Sequence, residues 1–279
     1  MAISTFTIDT PRGFFGARAF GIDSAPLVLL LHGFPDDAST FDHLLPKLAA
    51  MGGYAVAPYL RGYAPSTLMP PLNVDALAED LCAIAEKLAP GKAIDVIGHD
   101  WGALAFYRAA ARCPEHFRRA VVLSTPHPRA FLANAKWSPR QWWRSRYIAH
   151  LQKRTTAERA VMANDLAYVD ELWRRASPGL IVLPADHLAR VKKTFRESMP
   201  APVEFYRAND LDGPADQIQT PTLYVHGTDD GAIGPSMAAG QDRYFSNDYR
   251  AETVAGAGHF LHHEKPEAVL KLVEQWLAE

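Results

Sequence analysis

The chain opens with alternation. Residues 4–20 run apolar and polar in turn, with Pro11 and Gly13 between the two halves, a pattern that predicts a β-hairpin. Alternation then gives way to short, nearly unbroken apolar runs at residues 27–31, 54–58, 94–98, 120–124 and 222–226, which read as strands buried on both faces. Helical periodicity fills the segments near 40–50, 74–88, 101–112 and 265–278, and a last strand pattern lies near 249–254. Strand and helix alternating at this spacing predict a doubly wound, mostly parallel α/β sheet. No internal repeat or low-complexity tract interrupts it.

The rhythm breaks between about residues 127 and 212. This stretch has no clear strand pattern, carries Trp137, Trp142, Trp143 and Trp173, and has a charge balance of +6 against −8 for the rest of the chain. The break predicts a helical insertion after the sixth strand, a cap domain of residues 127–212 on a core of residues 1–126 and 213–279; more core helix is the plainer alternative. The four tryptophans suggest an apolar pocket between cap and core, although packing within the cap would account for them equally.

Composition narrows the function classes. The 279 residues are 48% hydrophobic and 22% charged, which excludes disorder as the main state. A net charge of −2 gives no electrostatic argument for nucleic acid or an anionic membrane. The start, MAISTFTIDT, lacks the basic and apolar regions of a secretory signal, and no apolar run approaches the roughly 20 residues of a membrane span. A soluble, cytoplasmic protein is expected. Cys82 and Cys113 sit in apolar helical patterns and read as reduced core thiols, with no disulfide. No phosphate-cradling glycine loop, HExxH or clustered Cys/His spacing appears, so neither a cofactor nor a metal site is expected.

The chemistry concentrates where residues 94–97 run into Gly98-His99-Asp100-Trp101-Gly102 and then straight into a helical pattern. A tight strand–turn–helix with glycine on either side is the geometry of a nucleophile elbow, which exposes one side chain at the carboxyl end of a strand. Here that side chain is a carboxylate, Asp100, which attacks saturated carbon to form an alkyl ester. An N-cap aspartate for the 101–112 helix is the structural alternative.

With these residues the sequence resembles the epoxide hydrolases of the α/β-hydrolase superfamily. Leu31-His32-Gly33-Phe34-Pro35-Asp36 is similar to the family's His-Gly-x-Pro motif, and Arg61-Gly62-Tyr63-Ala64-Pro65-Ser66 to its Arg-Gly-Tyr-Gly-x-Ser loop, with Ala64 in place of the usual glycine. The resemblance covers essentially the whole chain. It implies an α/β-hydrolase fold and the chain order nucleophile, acid, histidine. Gly256-Ala257-Gly258-His259-Phe260 stands where the superfamily carries its histidine, so His259 is the candidate base. His262 and His263 are read as surface or supporting neighbours, and His32 as a structural hydrogen-bonding residue. The resemblance implies an acid three residues after Gly227 and five before Pro235, which is Asp230 in preference to its neighbour Asp229. The backbone N–H groups of Phe34 and Trp101 are the implied oxyanion donors.

The leaving group separates two chemistries. Ring opening of an epoxide makes an alkoxide that needs an acid, and the family supplies a pair of cap tyrosines. Arg144-Ser145-Arg146-Tyr147-Ile148 and Glu204-Phe205-Tyr206-Arg207-Ala208-Asn209 put Tyr147 and Tyr206 on both positions, with Arg146 replacing the usual tryptophan. Haloalkane dehalogenases of the same clade often carry a halide-binding Asn where this chain has Phe34, and fluoroacetate dehalogenases usually carry Arg at Trp101; dehalogenation is the second reading. A non-catalytic binding protein of the same fold is the third, disfavoured by retention of the full residue set. Expected partners are a small apolar epoxide and water, substrate contacts coming from Phe34, Trp101, Tyr147 and Tyr206, in a monomer or homodimer.

Overall fold

A computed structural model describes residues 2–209, 213–214 and 217–279. Strands β1 (Ser4–Thr10) and β2 (Gly13–Phe20) form the expected hairpin, and β2 lies antiparallel against β4 (Tyr54–Pro58). From there β3 (Leu27–Leu31), β5 (Ile94–His99), β6 (Phe117–Leu123), β7 (Thr222–Gly227) and β8 (Tyr249–Val254) pair in parallel, giving the order β1-β2-β4-β3-β5-β6-β7-β8.

The near-continuous apolar strands are central because both faces are covered. In β3, Leu27, Leu29 and Leu31 pack into one core layer while Val28 and Leu30 pack into the other. The first layer is closed by α2 (Val74–Leu88) and α3 (Trp101–Arg112), the second by α1 (Leu45–Ala50), α9 (Leu261–Glu264) and α10 (Pro266–Leu277). In α2 the side chain of Asn73 caps the first turn by accepting from the Ala76 N–H, and Val74, Leu77, Leu81 and Ile84 present one apolar face at helical spacing. By contrast β8, at the sheet edge, exposes Arg250 and Glu252, charges that suit an unpaired edge.

Strand β6 begins at Phe117, three residues before the apolar run, where the backbone pairs with Ile94 of β5 and the Arg118 guanidinium lies on Asp95 at 2.6 Å. A charged residue in an ion pair hides a strand from hydrophobic pattern. Among the described residues between β6 and β7 the named elements are helices: α4 (Pro128–Ala135), α5 (Pro139–Leu151), α6 (Thr156–Ala176, interrupted over Ala163–Leu166), α7 (Ala185–Ser198) and α8 (Ala201–Glu204). The end of the expected insertion, residues 210–212, lies outside the described residues. Among the described residues no helix is long and apolar enough to cross a membrane.

Two expectations are corrected. Cys82 and Cys113 form a disulfide joining α2 to the end of α3, their Cα atoms 6.8 Å apart. An apolar context reads alike for a thiol and a bridge; only the packing of α2 on α3 decides. Reduced thiols therefore give no argument for a reducing compartment. Of the four tryptophans between β6 and β7, Trp137, Trp142 and Trp143 are exposed and only Trp173 is buried, so they do not together line an apolar pocket.

Candidate active site

Asp100 connects β5 to α3 with φ 51° and ψ −118°, a backbone region that a non-glycine residue occupies only where its surroundings enforce it. Neighbouring glycines are part of that enforcement. A Cβ on Gly102 would meet the Leu31 carbonyl oxygen at 2.2 Å, and one on Gly33 would meet Asp100 Oδ1 at 2.3 Å, so the loop after β3 can press against the carboxylate only as glycine. The Asp100 side chain makes no helix-capping bond, which removes the N-cap reading. Its Oδ1 accepts the Phe34 N–H at 2.7 Å instead. Trp101 occupies the first position of α3, where the helix offers its N–H no acceptor.

His259 is buried and held from several sides. Its N–H donates to the Ala176 carbonyl, its carbonyl accepts from Ser124 Oγ at 2.7 Å and lies 3.0 Å from His99 Nε2, and its Nδ1 lies 2.9 Å from Asp230 Oδ2. The other ring nitrogen faces Asp100 Oδ2 at 3.6 Å. Asp230 is fully buried, with Oδ1 accepting the N–H groups of Ala232 and Ile233 at 2.7 Å each. Asp229 is exposed and bonds the Thr228 hydroxyl. Burial opposes a charged imidazole at 259, but the carboxylates of Asp230 and Asp100 outweigh it and raise the pKa to about 10. Burial likewise opposes ionisation of Asp100, yet His259, His99 and the Phe34 N–H together lower its pKa, so it is a carboxylate at neutral pH.

Tyr147 on α5 and Tyr206 just after α8 meet edge to face, ring centroids 5.9 Å apart, and Tyr206 also stands edge-on to Trp101 and Phe34. Both tyrosines line, with Asp100, Trp101, Leu104 and Ile148, a cavity of about 70 Å³. Burial and the Asp100 charge push both phenols above their usual pKa, with Tyr147 adding to the effect on Tyr206, so each is a protonated donor. A smaller cavity of about 20 Å³ lies on the His259 side, bordered by Phe34, Tyr147, Arg144 and Arg175.

Six of the seven candidate residues thus border the two adjoining cavities, and the seventh, Asp230, lies behind His259. Arg146 stands apart: it is exposed, its guanidinium 3.6 Å over the exposed Trp143 ring. Ala64 is absorbed without strain, since its φ is not positive. In the same loop Arg61 is buried against both oxygens of Asp80 at 2.7 Å, and Tyr63 packs edge-on to His32, whose Nε2 accepts the Leu60 N–H as a structural residue would. His262 is fully buried and His263 half-buried, so of the two alternatives read for them the surface one falls away. Sequence reasoning also missed Ser124, His99 and Ser177, which brace the His259 loop, and Trp173, which stacks on Phe260 at 3.7 Å and donates to the Pro35 carbonyl. Each acts across a large sequence separation, where no local pattern signals it.

Comparison with known proteins identifies the fold. A family model described as alpha/beta hydrolase fold matches residues 26–266. AB hydrolase superfamily protein YfhM of Bacillus subtilis is 28% identical over 93% of this chain and 92% of its own length. Epoxide hydrolase 4 of Homo sapiens is 28% identical over 94% of this chain and 75% of its own. In fold, the chain is similar to the crystal structure of Bacillus megaterium epoxide hydrolase with an inhibitor, at a TM-score of 0.88 and 24% identity, covering 98% of this chain and 100% of that one. The chain belongs to the alpha/beta hydrolase fold family.

Proposed function

We propose that the protein is an epoxide hydrolase that opens a small apolar epoxide to a vicinal diol through an ester on Asp100. The observation that carries this reading is the pair of protonated tyrosines, Tyr147 and Tyr206, lining one cavity with an ionised carboxylate. The similarity to proteins named epoxide hydrolase supports it.

In the first half-reaction an Asp100 oxygen attacks a ring carbon, the C–O bond breaks, and the oxygen takes a proton from a tyrosine. Donation strengthens as alkoxide charge develops, so it lowers the barrier more than it stabilises bound substrate. His259 is protonated at rest, and its proton restores the phenol. Esterification also removes the charge of Asp100, one of the two carboxylates that hold the imidazolium proton. Neutral His259 is then ready to take a proton from water as that water adds to the ester carbonyl. The Phe34 N–H, already on Asp100 Oδ1, and the Trp101 N–H stabilise the oxyanion formed there. The cavity of about 20 Å³ beside His259 and Phe34 has the size of one water molecule. Collapse releases the diol and returns Asp100 as carboxylate and His259 as imidazolium. No cofactor enters the cycle. The insertion of residues 127–212 acts as a cap over the core of residues 1–126 and 213–279, and supplies both tyrosines.

Halide displacement needs neither hydroxyl, and Phe34 occupies the position of the second halide donor. The test is product analysis with styrene oxide, terminal and internal epoxides, and haloalkane controls. Catalytic formation of diol is the expected result. Halide release without diol, or stoichiometric binding without turnover, overturns the reading.

A further inference from the structure

A second concentration of chemistry lies behind the His259 loop. His262 and His263 on α9 and His187 on α7 gather around Asp36, and His43 before α1 packs on the two α9 rings, ring centroids of neighbouring imidazoles lying 4.7–6.3 Å apart. Thr40 Oγ1 sits 2.8 Å from Nε2 of both His262 and His263. Asp36 Oδ1 is bonded by His187 Nε2 at 2.8 Å and by the Asp37 N–H, so the carboxylate is already oriented. The proposed reaction does not use His262, His263, His187 or His43.

We propose that Asp36, His262 and His263 form a binding site for one divalent transition-metal ion of the zinc class. One ligand atom from each of the three residues lies within 4.8 Å of the others. A tetrahedral zinc ion with ligands at about 2.1 Å holds its donors roughly 3.4 Å apart, so the imidazoles need to draw in by about an ångström around the Thr40 hydroxyl. Imidazole nitrogen with one carboxylate is a donor set that suits zinc and its neighbours over calcium or magnesium, which take oxygen. Imidazoles packed this closely away from water cannot all be charged, and neutral rings keep the lone pairs that a metal takes.

Three further observations favour a ligand over a closed hydrogen-bond network. His262 Nδ1 and His43 Nε2 are buried without a hydrogen-bond partner among the described residues, an arrangement that costs stability unless something satisfies it. His187 holds the far oxygen of Asp36, the supporting contact that metal-binding carboxylates ordinarily receive. A surface cleft of about 500 Å³ lined by His43, His187, His262 and His263 provides an entry path. Two cations border the cleft, Lys47, paired with Glu267 at 3.0 Å, and Arg190, whose Nε lies 3.5 Å from Ser39 Oγ; Asp42, Asp186 and Glu267 border it with them.

Asp36 lies two residues after Phe34, and His262 and His263 follow His259 by three and four. An ion here ties the loop carrying the Phe34 N–H to the loop carrying His259. Its role is to brace these loops, and the inference does not depend on which reaction they serve.

The untagged chain, stripped with EDTA and dialysed, is titrated calorimetrically with zinc chloride, and its Tm is followed with and without the ion. One saturable event per chain and a raised Tm are expected, together with visible absorption typical of four-coordinate cobalt when Co²⁺ replaces zinc. His262→Gln/His263→Gln should weaken binding by more than about tenfold and abolish the rise in Tm. If the double variant does not fold, His263→Gln alone, at a half-buried position, serves the same purpose. Absence of saturable binding, or binding unchanged in the variants because zinc sits on other histidines, overturns the proposal.

Discussion

His259 Nε2 and Asp100 Oδ2 stand 3.6 Å apart, beyond a good hydrogen bond, while Nδ1 of the same ring is held on Asp230 at 2.9 Å. The imidazole is oriented by the acid behind it and leaves the carboxylate in front free to react. Attack by Asp100 and hydrolysis by His259 are therefore separable steps. His259→Gln should still be alkylated but should release diol far more slowly, trapping substrate on the protein; Asp100→Ala should neither trap nor turn over. Intact-mass spectrometry with excess epoxide reads the adduct. A His259→Gln protein that gains no mass under conditions where the unaltered chain turns over counts against the ester.

The two adjacent aspartates differ in burial, and activity should divide with it. Asp230 is enclosed with three donors on its oxygens, whereas Asp229 faces solvent. Loss of an orienting carboxylate costs about 10⁴ in kcat in comparable triads. Asp230→Asn should fall by a factor of that order, and Asp229→Asn should change little. Steady-state kinetics of the two variants decide it, and the reverse ranking would move the acid to 229.

Tyr147 and Tyr206 should share one task. General-acid assistance is worth roughly 10²–10⁴-fold, and two donors on one oxygen partly substitute for each other. Each single Tyr→Phe change should slow alkylation measurably and the double change nearly abolish it, with Tm preserved because the rings remain. Rapid-quench measurement of the alkylation step provides the comparison. A double variant that alkylates at the unaltered rate would remove the tyrosines from the mechanism.

The raised pKa of His259 makes stability depend on pH in a defined window. In the unfolded chain an imidazole titrates near about 6.5; in the fold it holds its proton to about 10. Below the lower value both states are protonated and the contribution is complete. As pH rises through the window the unfolded state has lost a proton that the folded state keeps, so the contribution declines and is gone above about 10. Denaturant unfolding between these limits should show falling stability, and Asp230→Asn should flatten the slope. Equal slopes in both proteins would exclude His259 as its source.

Much of this was legible in the chain itself. Central strands announce themselves as unbroken apolar runs because both faces are covered, and the elbow announces itself because a turn that tight demands glycine at Gly98 and Gly102. The other candidate site residues, Asp230 included, came from motifs and spacings that the family resemblance implies. Other features were settled by tertiary structure. Cys82 and Cys113 pair only because α2 lies on α3; Trp137, Trp142 and Trp143 turn outward although their composition suggested a pocket; and β6 starts at Phe117 by pairing with β5, ahead of the apolar run, through charged residues that hydrophobic pattern cannot register. The gathering of Asp36 with His187, His262 and His263 has the same origin. Local sequence records what each residue's own backbone and burial require, whereas contacts between residues 150 or more positions apart, such as Asp36 with His187, exist only once the sheet and its covering helices have packed.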